Sequence, residues 1–510
     1  MNKKVLVIGN NTEDTNVRTE NLARRAGNKN FGLIEFDTPK DFKYGHYHTS
    51  LADVSSGFVM SIAKDFDEVI LLDQNEYDSQ KILLSTFKLF VNLEQKSNRL
   101  GIRTKYKENK NIKVYNDWIQ YFQKNKSFCI YPWINYNDQV NEGTGLQLCS
   151  RANKKLKEVE DLHDWKTDPD YTRIRRKMLK GELIPEHCKV CYEYESRGLT
   201  GYRTHDSLDY IAKLGIETLE DLDKITNPYY YEIRSGNKCN LKCRMCSPNH
   251  SHLLRREFKQ NPELSLPMQW IRKDYPYSNI NDVVNIESLT NKHTVYPTGG
   301  EPTVMKEVYE FMRRCIDAGK TDYNLTIPTN ANRISDVFWD LASKFSNLHF
   351  SVSVDGLGLV NDYIRWNSSW DNIVATCEKI KSEGHQFTWN HVPTIWGIHR
   401  THEFFEFASR AFPFEHLYLQ YNRVVLHSAY VSPLIEEVKE SMRRTMETSL
   451  YYSDGKDCKS GIDSFYEHYQ TFKCNPEQLE KFFRWNDLMD NARNIELKDY
   501  IPELDACRPY

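Results

Sequence analysis

Residues 348–356 read LHFSVSVDG. Phe350, Val352 and Val354 share one parity, and Ser351, Ser353 and Asp355 share the other. Side chains of a strand alternate between its two faces, so this pattern describes a strand with one apolar and one polar face. The same parity recurs in YNLTIPTN (323–330), where Leu325 and Ile327 oppose Thr326, Pro328 and Asn330. It recurs again in LYLQYN (417–422), where Leu417 and Leu419 oppose Tyr418, Gln420 and Asn422. The apolar faces are expected to pack under helices. The polar faces then line an interior, which suits a ligand cavity rather than a packed barrel core.

Around these runs lie others of the same kind. YYYEIRS, HTVYP, YNLTIPT, LHFSVSV, FTWNHVPTIW and EHLYLQYNRVV make six strand-like segments after residue 229. TVMKEVYEFMRRCIDAGK, ISDVFWDLASKF, WDNIVATCEKIKSEG and HRTHEFFEFASRAF read as helices between the later ones. Alternating strand and helix predicts parallel βα units. Six units are too few for the closed eight-stranded barrel. The expected fold is therefore α/β, with a partial (β/α)6 TIM-like barrel over 226–430. Before it, KVLVIGN, GLIEFDT and EVILLDQ predict a small α/β domain over 1–115. Its first loop lacks G-x-G-x-x-G, so no dinucleotide site is inferred. IRTKYKENKNI (102–112) reads as a linker, and 116–225 as a cysteine-bearing domain. Residues 431–510 read as helical, with Pro433 and Pro476 near first turns.

The chain has 510 residues, material for roughly two to four domains. Its formal net charge of -3 gives no global pull toward nucleic acid or an anionic membrane. No apolar run reaches the roughly 18 residues a membrane span needs. The apolar stretch in MNKKVLVIGNN is too short for a signal-peptide core and reads as a buried strand. A reducing, cytoplasmic setting is the expectation. There, clustered cysteines point to metal or redox chemistry more than to disulfides.

Seven of the 12 cysteines fall into two groups. In NKCNLKCRMCSPN (237–249), Cys239, Cys243 and Cys246 have the spacing C-x3-C-x2-C, just after a strand. Three thiolates can hold three corners of a cubane iron–sulfur cluster and leave the fourth iron open, as a catalytic centre requires. The alternative is a zinc site completed by a neighbour such as His250. TGGEP (298–302) ends the second strand, with two glycines that admit close approach to the backbone.

Taken together, these residues resemble the radical S-adenosylmethionine (SAM) enzymes. Cys239, Cys243 and Cys246 match that family's cluster motif. Gly299, Gly300, Glu301 and Pro302 match its GGEP, which in the family contacts the SAM amino group. Thr329 and Asn330 match its TN, and Ser353, Asp355 and Gly356 its S-x-D-G. The resemblance covers about 229–425 and follows the family's strand order. It implies a [4Fe-4S] cluster whose open iron is chelated by SAM. Reductive cleavage then yields a 5′-deoxyadenosyl radical that takes a hydrogen atom from substrate. Asn330 and Ser353 are expected to contact SAM, with strand-end hydrogen bonding as the plainer alternative. The resemblance also implies an electron donor such as a flavodoxin or ferredoxin.

The second group is Cys129 in CIYPW, Cys149 in LQLCSR, and Cys188 and Cys191 in HCKVC. By spacing alone, zinc and a second cubane cluster are rivals. The run of C-x-x-P-W, a glycine-bearing turn (Gly143, Gly145), a cysteine, the basic helix TRIRRKMLKGE and C-x-x-C resembles the SPASM or twitch auxiliary-cluster domain of radical SAM maturases. That implies an auxiliary [4Fe-4S] cluster and a peptide or protein substrate. Here the module precedes the catalytic domain, whereas in the commoner maturases it follows. Arg173, Arg175, Arg176, Lys177 and Lys180 read as a solvated helix face, with RNA contact as the alternative. Cys315 and Cys377 share helical faces with apolar residues and read as core. Cys458, Cys474 and Cys507 lack a fourth partner for a third site. One of Asn390 and His391 should face the cavity. Tyr363 and Arg365 read either as loop anchors or as ligand contacts.

Overall fold

In the computed structural model, described residues are four strands of the N-terminal part, then 110–138, 145–152, 154–157, 164–196, 202–265, 277–412, 416–419, 428–449 and 457–509. The four strands are β1 (Val5–Asn10), β2 (Phe31–Phe36), β3 (Tyr47–His48) and β4 (Glu68–Leu72). They form one parallel sheet in the order β3-β2-β1-β4. Three of them are the runs named from the sequence. The helix Lys110–Lys124 begins inside the stretch read as a linker and crosses residue 115.

The second sheet holds β5 (Asn135–Asn137), β6 (Tyr230–Arg234), β7 (Thr294–Thr298), β8 (Asn324–Thr329), β9 (Leu348–Val354), β10 (Gln386–His391) and β11 (His416–Leu419). Every neighbouring pair is parallel, and strand order follows chain order from β5 to β11. Six of these are the expected strands, in the order an open partial barrel requires. β5 is an addition from the cysteine-bearing region. Its NYN is too short and too polar to show alternation; it is a strand because β6 pairs with it, Asn135 opposite Tyr230 and Asn137 opposite Glu232. The backbone of Tyr229 also donates to Ile134 O at 2.7 Å. The cysteine-bearing region thus extends the second sheet.

The expected parity holds. Along β9, Leu348, Phe350, Val352 and Val354 are buried, whereas His349, Ser351 and Ser353 are half-buried. β8 alternates in the same way. The buried set packs under Lys306–Asp317, Asp336–Ala342, Trp370–Ser382 and Thr401–Ala411. Val308, Phe311, Met312 and Cys315 on the first of these, and Ile373, Cys377 and Ile380 on the third, belong to one continuous core. Each such side chain contributes roughly 1.5–3 kcal/mol by leaving water.

A second core lies beside the first. It joins the helix His252–Gln260 through Leu254 and Phe258, the turn carrying Val360, Tyr363 and Ile364, and the C-terminal helix Pro476–Arg493 through Phe482, Phe483, Trp485 and Met489. Met245 and Cys246 of the cysteine loop pack against it. No described helix is long and apolar enough to cross a membrane.

Candidate active site

β6 delivers the chain directly into the cysteine loop. Cys243 is buried, and Cys239 and Cys246 are half-buried. The loop turns tightly, with Cys246 N bonded to Cys243 O at 3.1 Å. Cys239 N donates to Nδ1 of His252, the first residue of the next helix, at 3.1 Å. The three thiols feel one another, and burial pushes all of them up, Cys243 to about 11 and Cys246 to about 12. Three buried guanidiniums oppose that: Arg365 beside Cys243 and Cys246, Arg493 beside Cys243 and Arg234 beside Cys246. Thiolates carrying an anionic cluster are the groups such a ring of cations suits.

His250, the neighbour named for a zinc site, is pushed down to about 3 by burial and by Arg234. Among the described residues, no three His, Cys, Asp or Glu side chains converge as ligands of one metal ion would. The corners of a four-iron cluster hold their thiolates farther apart than a single ion does.

TGGEP lies against this loop. Gly300 N donates to Gly236 O at 2.9 Å, and Glu301 N to Lys238 O at 2.8 Å. A Cβ on Gly299 would stand 2.1 Å from Gly236 O, and one on Gly300 would stand 2.2 Å from Lys238 O. Gly299 also has φ +120°, which L side chains rarely adopt. What comes close to both glycines is therefore the loop's own backbone. Gly300→Ala is expected to destabilise the protein by about 1–3 kcal/mol, because backbone cannot yield as a side chain would. Thermal melting and the iron retained per chain check this; unchanged values for both would contradict it.

Glu301 ties strand ends together. Its buried carboxylate accepts from Thr303 N and Oγ1, from Thr329 Oγ1 at 2.7 Å and from Asn330 N at 2.7 Å. Burial raises its pKa and these donors lower it. Pro302 follows, buried, in a single 3-10 turn. Asn330 Nδ2 reaches Asn240 Oδ1 in the cysteine loop at 2.7 Å. The TGGEP, TN and cysteine segments are thus one bonded unit.

On the polar face of the sheet, Ser353 and Asn390 stand directly opposite in the β9–β10 register. Asn390 Oδ1 is buried and accepts no hydrogen bond from the described residues. Of the two candidates on β10 it is Asn390 that shares the polar face of Ser353; His391 is buried on the other side, its ring stacked on Phe404 at 4.9 Å. Asp355 is fully buried beside Arg365, Nε to Oδ2 2.6 Å. Gln420 and Asn422 lie outside the described residues.

Arg244 went unnoticed in the sequence. It sits between Cys243 and Cys246 and is fully buried. Its Nε donates to Tyr363 O at 2.9 Å, its guanidinium lies 3.6 Å from the Tyr363 ring centroid, and it pairs with Asp490 of the C-terminal helix. Tyr363 OH donates to Asp490 Oδ1 at 2.9 Å. Arg493, one turn on, pairs with Glu257 at 2.8 Å and donates to Lys242 O at 2.8 Å. Tyr363 is therefore an anchor. Glu232 on β6 also escaped notice; burial pushes its carboxyl up to about 7.

In the second group, Cys188 and Cys191 share one face of the helix Pro185–Ser196, at i and i+3. Cys188 feels Cys129, Cys149 and Cys191, and Cys129 feels Cys149 and Cys191. Burial raises all four thiols, Cys149 to about 12. Arg203 braces the group by donating to Phe128 O and pairing with Glu195 at 2.7 Å. On the basic helix, Arg175 departs from the solvated-face reading. It is buried, with Nε donating to Pro132 O at 2.8 Å and its guanidinium over Trp165 at 4.6 Å. Arg173, Arg176 and Lys180 are exposed and Lys177 is half-buried. Cys474 and Cys507 are electrostatic neighbours, and the side chain of Cys458 lies outside the described residues.

Residues 233–406 match the family described as the Radical SAM superfamily. That span is thus similar to a radical SAM domain. It holds the cysteine trio, TGGEP, TN and SVDG. Solved structures similar to this chain include native anSMEcpe with bound AdoMet, at 14% identity over 43% of this chain and 59% of that one, TM-score 0.31. Another is SuiB of Streptococcus suis bound to S-adenosylmethionine, at 15% identity over 54% and 60%, TM-score 0.30. A third is SuiB bound to the precursor peptide SuiA, at 13% identity over 66% and 64%, TM-score 0.27. The chain spans about three-fifths of the length of these structures. Comparison with curated proteins gives no match.

Proposed function

We propose that the chain is a SAM-cleaving enzyme that modifies a peptide or protein, with a second cluster in its cysteine-bearing region. The observation that carries this reading is the bonded unit of the cysteine loop, TGGEP and TN, faced by three buried arginines. Cys239, Cys243 and Cys246 would hold a [4Fe-4S] cluster. Gly299, Gly300, Glu301, Pro302, Asn330, Ser353 and Asp355 would position SAM. Bound there, cluster and SAM supply reductive carbon–sulfur cleavage and a 5′-deoxyadenosyl radical that abstracts hydrogen from substrate.

The protein's own contribution is electrostatic and positional. Arg234, Arg365 and Arg493 offset negative charge at the loop. The orphaned Asn390 Oδ1 offers an acceptor to a polar ligand in the cavity. Cys129, Cys149, Cys188 and Cys191 would hold the auxiliary [4Fe-4S] cluster, and a flavodoxin or ferredoxin would supply electrons. The peptide class rests on the resemblance of this second module to the SPASM or twitch domain.

Anaerobic reconstitution, followed by reduction and addition of SAM, tests the reading. The expected result is about eight irons per chain and formation of 5′-deoxyadenosine. The Cys188→Ala/Cys191→Ala variant is expected to keep about four irons and still cleave SAM. Zinc in place of iron, with no cleavage, would overturn the reading.

A further inference from the structure

On β6, Tyr231 and Ile233 belong to the core under the helices, so Tyr230, Glu232 and Arg234 share the polar face. Glu232 is buried but not sealed, with 6% of its surface exposed. Its Oε2 accepts from Asn137 Nδ2, which β5 sets directly opposite. Its Oε1 has no hydrogen-bond partner, and the carboxylate no ion-pair partner, among the described residues. On the other side, β7 places Tyr296 in register with it. Tyr230 lies two residues back on the same face, its ring 6.1 Å from those of Tyr131 and Tyr210. Tyr230 and Tyr296 are half-buried.

The charges nearby leave Glu232 unmatched. It feels Arg151, Arg234 and Asp138. Arg151 pairs with Asp206 at 3.2 Å, and Arg234 is shared with Asp138. Three carboxylates therefore meet two guanidiniums. The position is also central. Cys149 of the second cysteine group feels Glu232, and Arg234, next along the same face, feels Cys246 of the first.

We propose that Glu232 binds the ammonium group of a lysine side chain in the peptide substrate. The inference rests on the peptide-modifying reading and names the residue that such a peptide presents to the site. A carboxylate taken out of water with one oxygen unsatisfied is costly, and a cation arriving with the substrate supplies the missing partner. Half-buried tyrosine rings beside a carboxylate are surroundings that an ammonium prefers. Lysine fits better than arginine. An ammonium is a point charge that one free oxygen satisfies. A guanidinium fork engages both oxygens, and Asn137 already holds one.

The test uses the full reconstituted chain with SAM and no reductant. Three probes are compared: acetyl-glycyl-lysyl-glycinamide, its arginine counterpart and its norleucine counterpart. Norleucine keeps the lysine stem and lacks the ammonium. Saturation-transfer NMR reads binding. The lysine peptide is expected to bind the parent about tenfold more tightly than the other two. In Glu232→Gln, whose amide oxygen can still accept from Asn137, that preference is expected to vanish. Equal binding of the lysine and norleucine peptides to the parent would overturn the proposal, and that comparison needs no variant. So would tighter binding of the arginine peptide, or a lysine preference that survives in a folded Glu232→Gln chain. Dithionite-driven formation of 5′-deoxyadenosine on the same preparation is read separately. Its absence would sink the SAM-cleaving reading, while the lysine preference still decides what Glu232 binds.

Discussion

Replacing Cys239, Cys243 and Cys246 together with alanine is expected to leave no detectable 5′-deoxyadenosine and to remove about four irons per chain. The three thiols are the donors of one loop, and each feels the charge of another. Without them the proposed cluster would have no thiolate ligands from this loop. The loop itself should keep its place. Gly300 N, Glu301 N, Arg244 and Arg493 all hold it through groups the substitutions leave intact. The melting temperature of the iron-free variant is therefore expected to stay within a few degrees of the iron-free parent. A variant that still bound the iron and cleaved SAM would place the chemistry elsewhere.

The second large effect belongs to a residue far from the loop in sequence. Asp490→Ala is expected to destabilise the protein by about 3–5 kcal/mol, because it leaves Arg244 charged, buried and unpaired. The Tyr363 hydroxyl and Asn486 would lose a partner at the same time. The loss should appear as a drop in melting temperature of about 3–8 °C. The double variant Arg244→Met/Asp490→Leu should recover most of it, since replacing both charges with apolar groups removes the desolvation penalty. If Asp490→Ala melts like the parent, the pair does not hold the loop. If the double variant is no better than the single one, lost packing rather than an unpaired charge is the cause.

These residues also mark where sequence reading reached and where it ended. Strands β8 and β9 were legible because one face is buried under helices and the other is polar and half-buried, so polarity alternates residue by residue. The cysteine trio and TGGEP were legible because their chemistry is local in sequence. β5 was not, since three polar residues become a strand only when β6 lies alongside. Arg244 was not, because an arginine next to a lysine-rich loop reads as solvated. Its burial is decided by Asp490, 246 residues downstream. Arg175 was hidden in the same way; its partners Pro132 and Trp165 come from other segments. Between Asn390 and His391, parity allowed either. Register against Ser353 and the stacking of His391 on Phe404 decide it.

The clamp across the cysteine loop has a consequence for biosynthesis. The ribosome delivers Cys239, Cys243 and Cys246 well before it delivers Asp490 and Arg493. During that interval Arg244 has no carboxylate to close on, and one wall of the second core, the face bearing Phe482 and Trp485, is missing. The thiols are then open to any iron–sulfur carrier. Once the last long helix docks, Cys246 packs against the core it completes, and Cys243 is buried. On the proposed cluster-binding reading, insertion before that helix docks would meet an unlatched loop, and later insertion would have to unlatch it.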